Sequence, residues 1–262
     1  MTRTRHMDTA LLTVDRGMQV LRAFRCHRAM LGNADLVQRT GLPKATVSRL
    51  TTTLLQVGFL RHASGGRKFE LAAGPLAIGR SFLAGNELLR IATPHLQELA
   101  GAVDMSVALA VGHGLEMLYI GYEASPSVGT LRMNVGSVLP MGTTSIGHAH
   151  LWGLPAAERE RQVHALTERE GVGATSIETA IRNSFAQLRT AGTCAVLGGH
   201  RPGTFGVALP VILGRQRVVM GLSCGKADVR PDIDAAQQRI RPALQVTAAR
   251  LEDALRDIDE AP

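Results

Sequence analysis

The 262 residues, 45% apolar and 19% charged, suffice for one large domain or two ordinary ones and exclude an unfolded chain. No window approaches 18 consecutive apolar residues, which excludes a spanning helix and a membrane partner. The net charge of +7 is lopsided: residues 1–80 carry 13 Lys and Arg against 4 Asp and Glu, whereas residues 81–262 carry 16 against 18. A basic module joined to a near-neutral one points to a polyanion as first partner. Aromatic residues make up only 3%, too few for a base-stacking platform, which favours duplex DNA over single strands or RNA. Cys26, Cys194 and Cys224 are too few and too far apart for a disulfide framework or a CxxC metal knuckle. The opening MTRTRHMDTA has no apolar run before a cleavage site. A reducing, cytoplasmic setting is expected.

Residues 13–29 place Val14, Met18, Leu21 and Phe24 at helical spacing, with Arg16, Arg22, Arg25 and Arg28 mostly off that stripe. Residues 34–39 predict a short second helix with Leu36 and Val37 inward, capped by Asn33 or Gly32. Gly41 suits the left-handed conformation that ends a helix. Pro43 suits the first position of a third helix over 43–57, with Val47, Leu50 and Leu54 on one face. A helix, a Gly-containing turn and a helix that opens on small polar and basic residues form a helix-turn-helix pattern. Lys44 and Arg49 can reach phosphates or guanine edges; Thr46 and Ser48 can bond phosphate or base; Ala45 lets the backbone approach. Strand-like residues 58–62 and 67–71 flank Gly65-Gly66, a hairpin that reads as a wing with Arg61, Arg67 and Lys68 for phosphates. A plain three-helix bundle shares the helical spacing; the hairpin and the local charge favour the DNA reader.

The runs DRGMQVLRAF, TGLPKATVSRLTTTLLQVGFL and FELAAGPLAIG resemble the IclR family of bacterial transcriptional regulators. Thr51 stands where the family usually has Leu, and Asn33 where an apolar residue usually begins the helix before the turn, loosening the packing there. The resemblance continues through Leu131-Arg132-Met133, Gly136, Leu139-Pro140-Met141, Arg189, Gly192, Gly203, Ala208, Pro210-Val211 and Leu222-Ser223. Gly147-His148-Ala149 stands where the family often has Gly-Lys-Ala.

Residues 76–92 predict a helix joining the two modules, and Pro94 a fresh helix start. Strands are predicted at 105–111, 115–122, 128–133, 194–197, 205–213 and 218–223. Helices are predicted at 144–152, 156–168, 175–188 and 232–258, the third opened by a Thr175–Glu178 capping box. The fold class is α+β: an N-terminal winged helix-turn-helix domain (1–75), a linker helix (76–92) and a C-terminal domain (93–262). The resemblance implies that the last is a GAF-like domain for effector binding and oligomerisation.

By position, the resemblance implies an effector pocket near Met133, Leu139, Ser145, Ile146, Val196, Thr204, Gly206, Ser223 and Gly225. Family members for very small keto-acids carry polar groups at the positions of Val196 and Gly206. Here one is apolar and the other empty, so the expected effector is a larger, more apolar or aromatic acid, with extra room at Gly206. Its carboxylate would meet backbone N–H groups near Ser145 and Ile146, or the Ser145 and Ser223 hydroxyls. The alternative is that Val196 and Gly206 simply pack the core.

Enzymatic readings fail on spacing. The run of residues 142–147 is G-x-x-S-x-G, one residue too long for a nucleophile elbow. Residues 171–176 lack the third glycine of a dinucleotide loop. His148 and His150, two apart on a helix, point to different sides and make poor zinc partners. Cys194 and Cys224 sit in apolar strand patterns, where inert buried thiols are commoner, with a redox switch between them as the alternative. No enzyme, metal or cofactor is expected. The function expected is a repressor of a catabolic operon, a homodimer or a tetramer (dimer of dimers) on a pseudo-palindromic duplex operator, controlled by a small organic acid. The alternative is a sensor acting through protein partners without specific DNA binding.

Overall fold

The computed structural model describes residues 9–25, 29–126, 128, 133–228 and 231–259. The chain divides into two compact units, Met1–Gly85 and Asn86–Pro262. Among the described residues no helix is long and apolar enough to cross a membrane.

The first unit runs α1 (Thr9–Arg22), α2 (Asn33–Thr40), α3 (Lys44–Gln56), β1 (Leu60–His62), β2 (Phe69–Leu71) and α4 (Gly74–Gly85). Its core joins Val20 and Phe24 to Leu36, Leu42, Val47, Leu50, Leu60 and Phe69. Of the predicted stripe, Leu21 and, just past the end of α1, Phe24 pack on the core together with Val20, while Val14 and Met18 are exposed. α1 also stops at Arg22 rather than running to 29. Its end tightens as the Ala23 amide is shared between the Gln19 and Val20 carbonyls, and the Arg39 guanidinium of α2 donates to the Ala23 carbonyl. Cys26 and Arg28 lie outside the described residues.

Gly32, not Asn33, caps α2, and the Asp35 carboxylate accepts from the Gly32 amide at 2.8 Å. Gly41, at φ +67°, donates its N–H back to the Val37 carbonyl at 2.9 Å and closes the helix. Pro43 precedes α3 as its cap instead of lying inside it. Thr51 is buried and donates its hydroxyl to the Val47 and Ser48 carbonyls, both at 3.0 Å. A polar side chain is thus accommodated where leucine is usual in the family. Asn33 buries its Oδ1 without a partner among the described residues.

The second unit holds a six-stranded antiparallel sheet in the order β5-β4-β3-β8-β7-β6. Its strands are β3 (Ser106–His113), β4 (Glu116–Ala124), β5 (Val138–Pro140), β6 (Cys194–Leu197), β7 (Thr204–Leu213) and β8 (Val218–Ala227). Its helices are α5 (Glu87–Val103), α6 (Ser145–Gly153), α7 (Ala156–Glu170), α8 (Ala174–Ala191) and α9 (Ile233–Ala254). Period-two alternation splits the core. Ala108, Ala110, Met117 and Ala208 pack with Ile146, Leu151, Ile181 and Leu188 from α6 and α8. Leu109 lies on the other face, beside Gly121, where a Cβ would lie 2.8 Å from Leu96 of α5.

Four expectations change here. The helix expected over 76–92 is two, α4 and α5, because Asn86 caps α5 by accepting from the Leu89 amide at 2.9 Å. Pro94 lies inside α5 rather than starting a helix; the buried stripe Leu88, Leu89, Ala92, Leu96, Leu99 and Val103 runs past it. Val138–Pro140 forms a strand where none is predicted, and four residues of the strand expected at 128–133, Gly129, Thr130, Leu131 and Arg132, lie outside the described residues. The Thr175–Glu178 box does not form, since α8 starts at Ala174 and Glu178 instead accepts from Arg182 at 2.8 Å.

Candidate nucleic-acid interface and effector pocket

On α3 the apolar residues Val47 and Leu50 are buried, while Lys44, Ala45, Ser48, Arg49 and Thr52 are exposed on the remaining surface. Thr46 is half-buried at the margin. The exposed face offers two cations and small side chains at a pitch that suits a major groove. Thr52 and Thr53 donate their hydroxyls to the Ser48 and Arg49 carbonyls, at 2.9 and 3.1 Å.

β1 and β2 pair Leu60 with Leu71, Arg61 with Glu70 and His62 with Phe69. The turn between them is closed by the Gly66 amide donating to the Ala63 carbonyl and the Ala63 amide donating to the Lys68 carbonyl. Gly65 and Gly66, at φ +89° and +72°, take backbone conformations that a side chain would strain. Arg67 and Lys68 stand exposed beside this turn. Arg61 is exposed too but is paired with its cross-strand neighbour Glu70 at 3.2 Å. The two stretches predicted as strands are each trimmed to three residues.

In the second unit, small residues open a cavity of about 280 Å³ between the sheet and the N-terminal turn of α6. The register sets Val196, Gly206, Gly225 and Ser106 in one row across four strands, and Ala208, Ser223, Ala108 and Tyr122 in the next. All nine residues inferred from the resemblance line this one cavity. Met133, Leu139, Ile146, Val196 and Phe205 supply apolar wall; Ser145, Ser223, Thr204 and the two tyrosines supply hydroxyls.

Tyr119 and Tyr122 stack with centroids 6.2 Å apart at 19°. Their hydroxyls bond with Ser223 and Ser106 respectively, and burial pushes both phenols above their ordinary value of 10, so each remains neutral. The Thr144 hydroxyl caps α6, accepting from the Gly147 amide at 3.4 Å and donating to the Pro140 carbonyl at 2.6 Å. The amides of Ser145 and Ile146 lie in the first turn, where no helical carbonyl reaches them. Gly147 lets this turn close on the sheet-side loop: a Cβ there would lie 2.1 Å from the Met141 carbonyl oxygen.

Gly206 does not give the cavity the expected extra room. A Cβ built on it would lie 2.6 Å from Ser145 Oγ, so the serine hydroxyl already occupies that space. Sequence reasoning also passed over Tyr119, Tyr122, Ser106, Ala108 and the loop Gly199-His200-Arg201-Pro202-Gly203, all of which line the cavity. The loop's turn residues lie between two recognised pocket positions, Val196 and Thr204, a signal that was legible.

Behind the cavity, His148 is fully buried and its two ring nitrogens are both bonded. The Gly142 carbonyl can only accept, so Nε2 carries the proton and donates at 2.9 Å, and Nδ1 accepts from the Ser184 hydroxyl at 2.7 Å. Burial lowers its pKa, partly offset by the Gly142 bond. Cys194 donates its thiol to the Ser145 carbonyl at 3.4 Å. Burial pushes the thiols of Cys194 and Cys224 up to about 12, which keeps both protonated.

Two family models match the chain: the IclR helix-turn-helix domain over residues 13–64 and the bacterial transcriptional regulator IclR C-terminal over residues 80–252. The HTH-type transcriptional regulator TsaQ1/TsaQ2 of Comamonas testosteroni is 34% identical over 60% of this chain, a match that spans 56% of that relative's length. The transcriptional repressor IclR of Escherichia coli is 29% identical over 69% of this chain and 67% of its own. The crystal structure of an IclR family transcriptional regulator from Brucella abortus, 29% identical, superposes with a TM-score of 0.85 over 97% of each chain. The same fold appears, at 23% identity and a TM-score of 0.63 over 93% of this chain and 98% of the other, in an IclR homolog from Microbacterium hydrocarbonoxydans complexed with 4-hydroxybenzoate. With a winged helix-turn-helix in one unit, a curled α+β sheet over a cavity in the other, and family models that together match most of its length, the chain belongs to the IclR family of DNA-binding bacterial transcriptional regulators.

Proposed function

We propose that this protein is a repressor of a catabolic operon whose hold on DNA is controlled by a small organic acid, aromatic or otherwise larger and more apolar than a two-carbon keto-acid. The observation that carries the reading is the cavity, whose described lining combines apolar wall, a tyrosine pair and hydroxyls with no carboxylate. Its volume exceeds what a two-carbon acid fills. The effector's carboxylate is held by the Ser145 and Ile146 amides or by the Ser145 and Ser223 hydroxyls. The 4-hydroxybenzoate bound by the Microbacterium protein makes that acid a natural first probe. The repressor assignment takes support from the name of the Escherichia coli relative.

Residues 1–75 act as the DNA reader, the 76–92 segment as the link and residues 93–262 as the effector and oligomerisation domain. Lys44, Ala45, Thr46, Ser48 and Arg49 enter the major groove, and Arg61, Arg67 and Lys68 meet phosphates. One subunit presents one recognition helix, so a homodimer or dimer of dimers on a pseudo-palindrome follows. Exposed Leu76, Ile78 and Phe82 on α4, a helix with no buried residue, support pairing of subunits there. Effector binding shifts the balance between arrangements that match the half-site spacing and those that do not, limited by its differential affinity for the two.

Calorimetry with glyoxylate, benzoate and 4-hydroxybenzoate tests the effector class. Tight glyoxylate binding with no aromatic acid bound refutes it. Sequencing the genomic fragments retained by the full chain, with and without the acid that binds, tests the operator and the sign of regulation.

A further inference from the structure

We propose that Arg201 is the residue by which the cavity selects acids over neutral molecules of the same shape, its guanidinium meeting the carboxylate that the first turn of α6 orients. The inference rests on the reading above that the effector is an organic acid. Arg201 is the permanently charged residue among the described residues that line the cavity, and no Asp or Glu is among them.

The loop that carries Arg201 is built to stay in place. The Thr204 amide and hydroxyl both donate to the Arg201 carbonyl, at 3.2 and 2.7 Å. The Gly198 amide donates to the Thr204 carbonyl at 2.7 Å, and the Asp228 amide to the Gly203 carbonyl at 2.8 Å. The loop is also fastened to the start of α6: the Thr143 hydroxyl donates to the Gly199 carbonyl at 2.5 Å. Gly199 approaches so closely that a Cβ would lie 2.0 Å from the Thr143 carbonyl oxygen. A cation on a fixed loop that lines the same cavity as the first turn of α6 gives an entering anion two sources of positive potential. The helix amides orient the carboxylate, and the guanidinium supplies the net charge that a neutral amide or alcohol cannot use.

The test is calorimetry on the full chain with 4-hydroxybenzoate and benzoate against their neutral counterparts 4-hydroxybenzamide and benzamide. Wild type binds acid more tightly than amide. Arg201→Gln weakens acid binding roughly tenfold, a charge-assisted hydrogen bond at an exposed position, and leaves the amide where it was. Arg201→Lys recovers part of the difference. An acid-to-amide ratio unchanged in Arg201→Gln overturns the proposal. If Ser145→Ala collapses the ratio while Arg201→Gln does not, the acid reading stands and Arg201 is excluded. Failure of wild type to bind any of the acids overturns the proposal together with the reading beneath it. Retained amide binding by Arg201→Gln shows that the cavity of the variant is folded.

Discussion

Ser145 and Gly206 compete for one small volume, and a double-mutant cycle measures the competition. A Cβ at Gly206 would lie 2.6 Å from Ser145 Oγ but 3.6 Å from the Cys224 carbonyl oxygen, so the serine hydroxyl is what it displaces. In Gly206→Ala the serine must leave its rotamer or the strand must shift. Either response costs about 1 kcal/mol, the scale of an off-rotamer side chain or mild overpacking. The displaced hydroxyl is also lost to the effector, which removes about 1 kcal/mol of hydrogen bonding, a five- to tenfold weaker Kd. In a Ser145→Ala background the obstruction is gone, and alanine in a β-strand is at least as favourable as glycine. The second substitution should then be neutral or slightly stabilising. Trp152, the single tryptophan, lies in α6 of the same unit, so its fluorescence during urea unfolding reports the stability of that unit. Calorimetry with the acid that binds gives the affinity arm. An equal penalty for Gly206→Ala in both backgrounds would mean that the two residues do not share this space, and the reasoning fails.

Further expectations concern the helix-turn-helix and the buried histidines. Arg49→Ala should weaken operator binding by about 1–3 kcal/mol, read by fluorescence anisotropy; an unchanged affinity removes Arg49 from the interface. Because Glu70 holds Arg61 at 3.2 Å, Glu70→Gln should tighten DNA binding modestly by freeing a cation and removing a charge that repels phosphate, and a weaker complex would contradict that role for the wing. Asn33→Leu should stabilise the first unit by about 1 kcal/mol in urea unfolding followed by circular dichroism, since it removes an unbonded buried carbonyl oxygen; destabilisation would show the amide to be satisfied. His148 and His150 both have folded pKa values held below 6.5 by burial, so the unfolded chain binds protons first as pH falls. Stability is fully present above about pH 6.5 and falls below it, by at most about 1.4 kcal/mol per pH unit for each histidine until the folded pKa is passed. Trp152-monitored unfolding at pH 7.5 and 5.5 tests this, and His148→Gln should flatten the loss.

The DNA-reading unit was legible because its determinants are local. Gly41 and Pro43 punctuate the turn, Val47 and Leu50 mark the inward face of α3, and the charge excess lies within the same 80 residues. The cavity was reached by another route. The resemblance placed all nine candidate positions around one space, whereas periodicity found the strands but not their order. What local pattern could not supply were facts of packing. Asn86 divides a helix that apolar spacing runs together, because a cap at its amide end outweighs continuity. Pro94 stays inside α5 because burial of the flanking leucines exceeds the loss of one hydrogen bond.

The sequence by itself determined a basic reader, an α+β partner and the membership that joins them, since each depends on residues close together in the chain or on a long matching run. Only the tertiary structure decided that the Ser145 hydroxyl fills the space at Gly206, that a tyrosine pair forms part of the cavity, and that the loop bearing Arg201 is tied to the start of α6. The physical reason is reach. Thr143 and Gly199 are 56 residues apart in the chain, and only the closing of the sheet beneath α6 brings them to 2.5 Å.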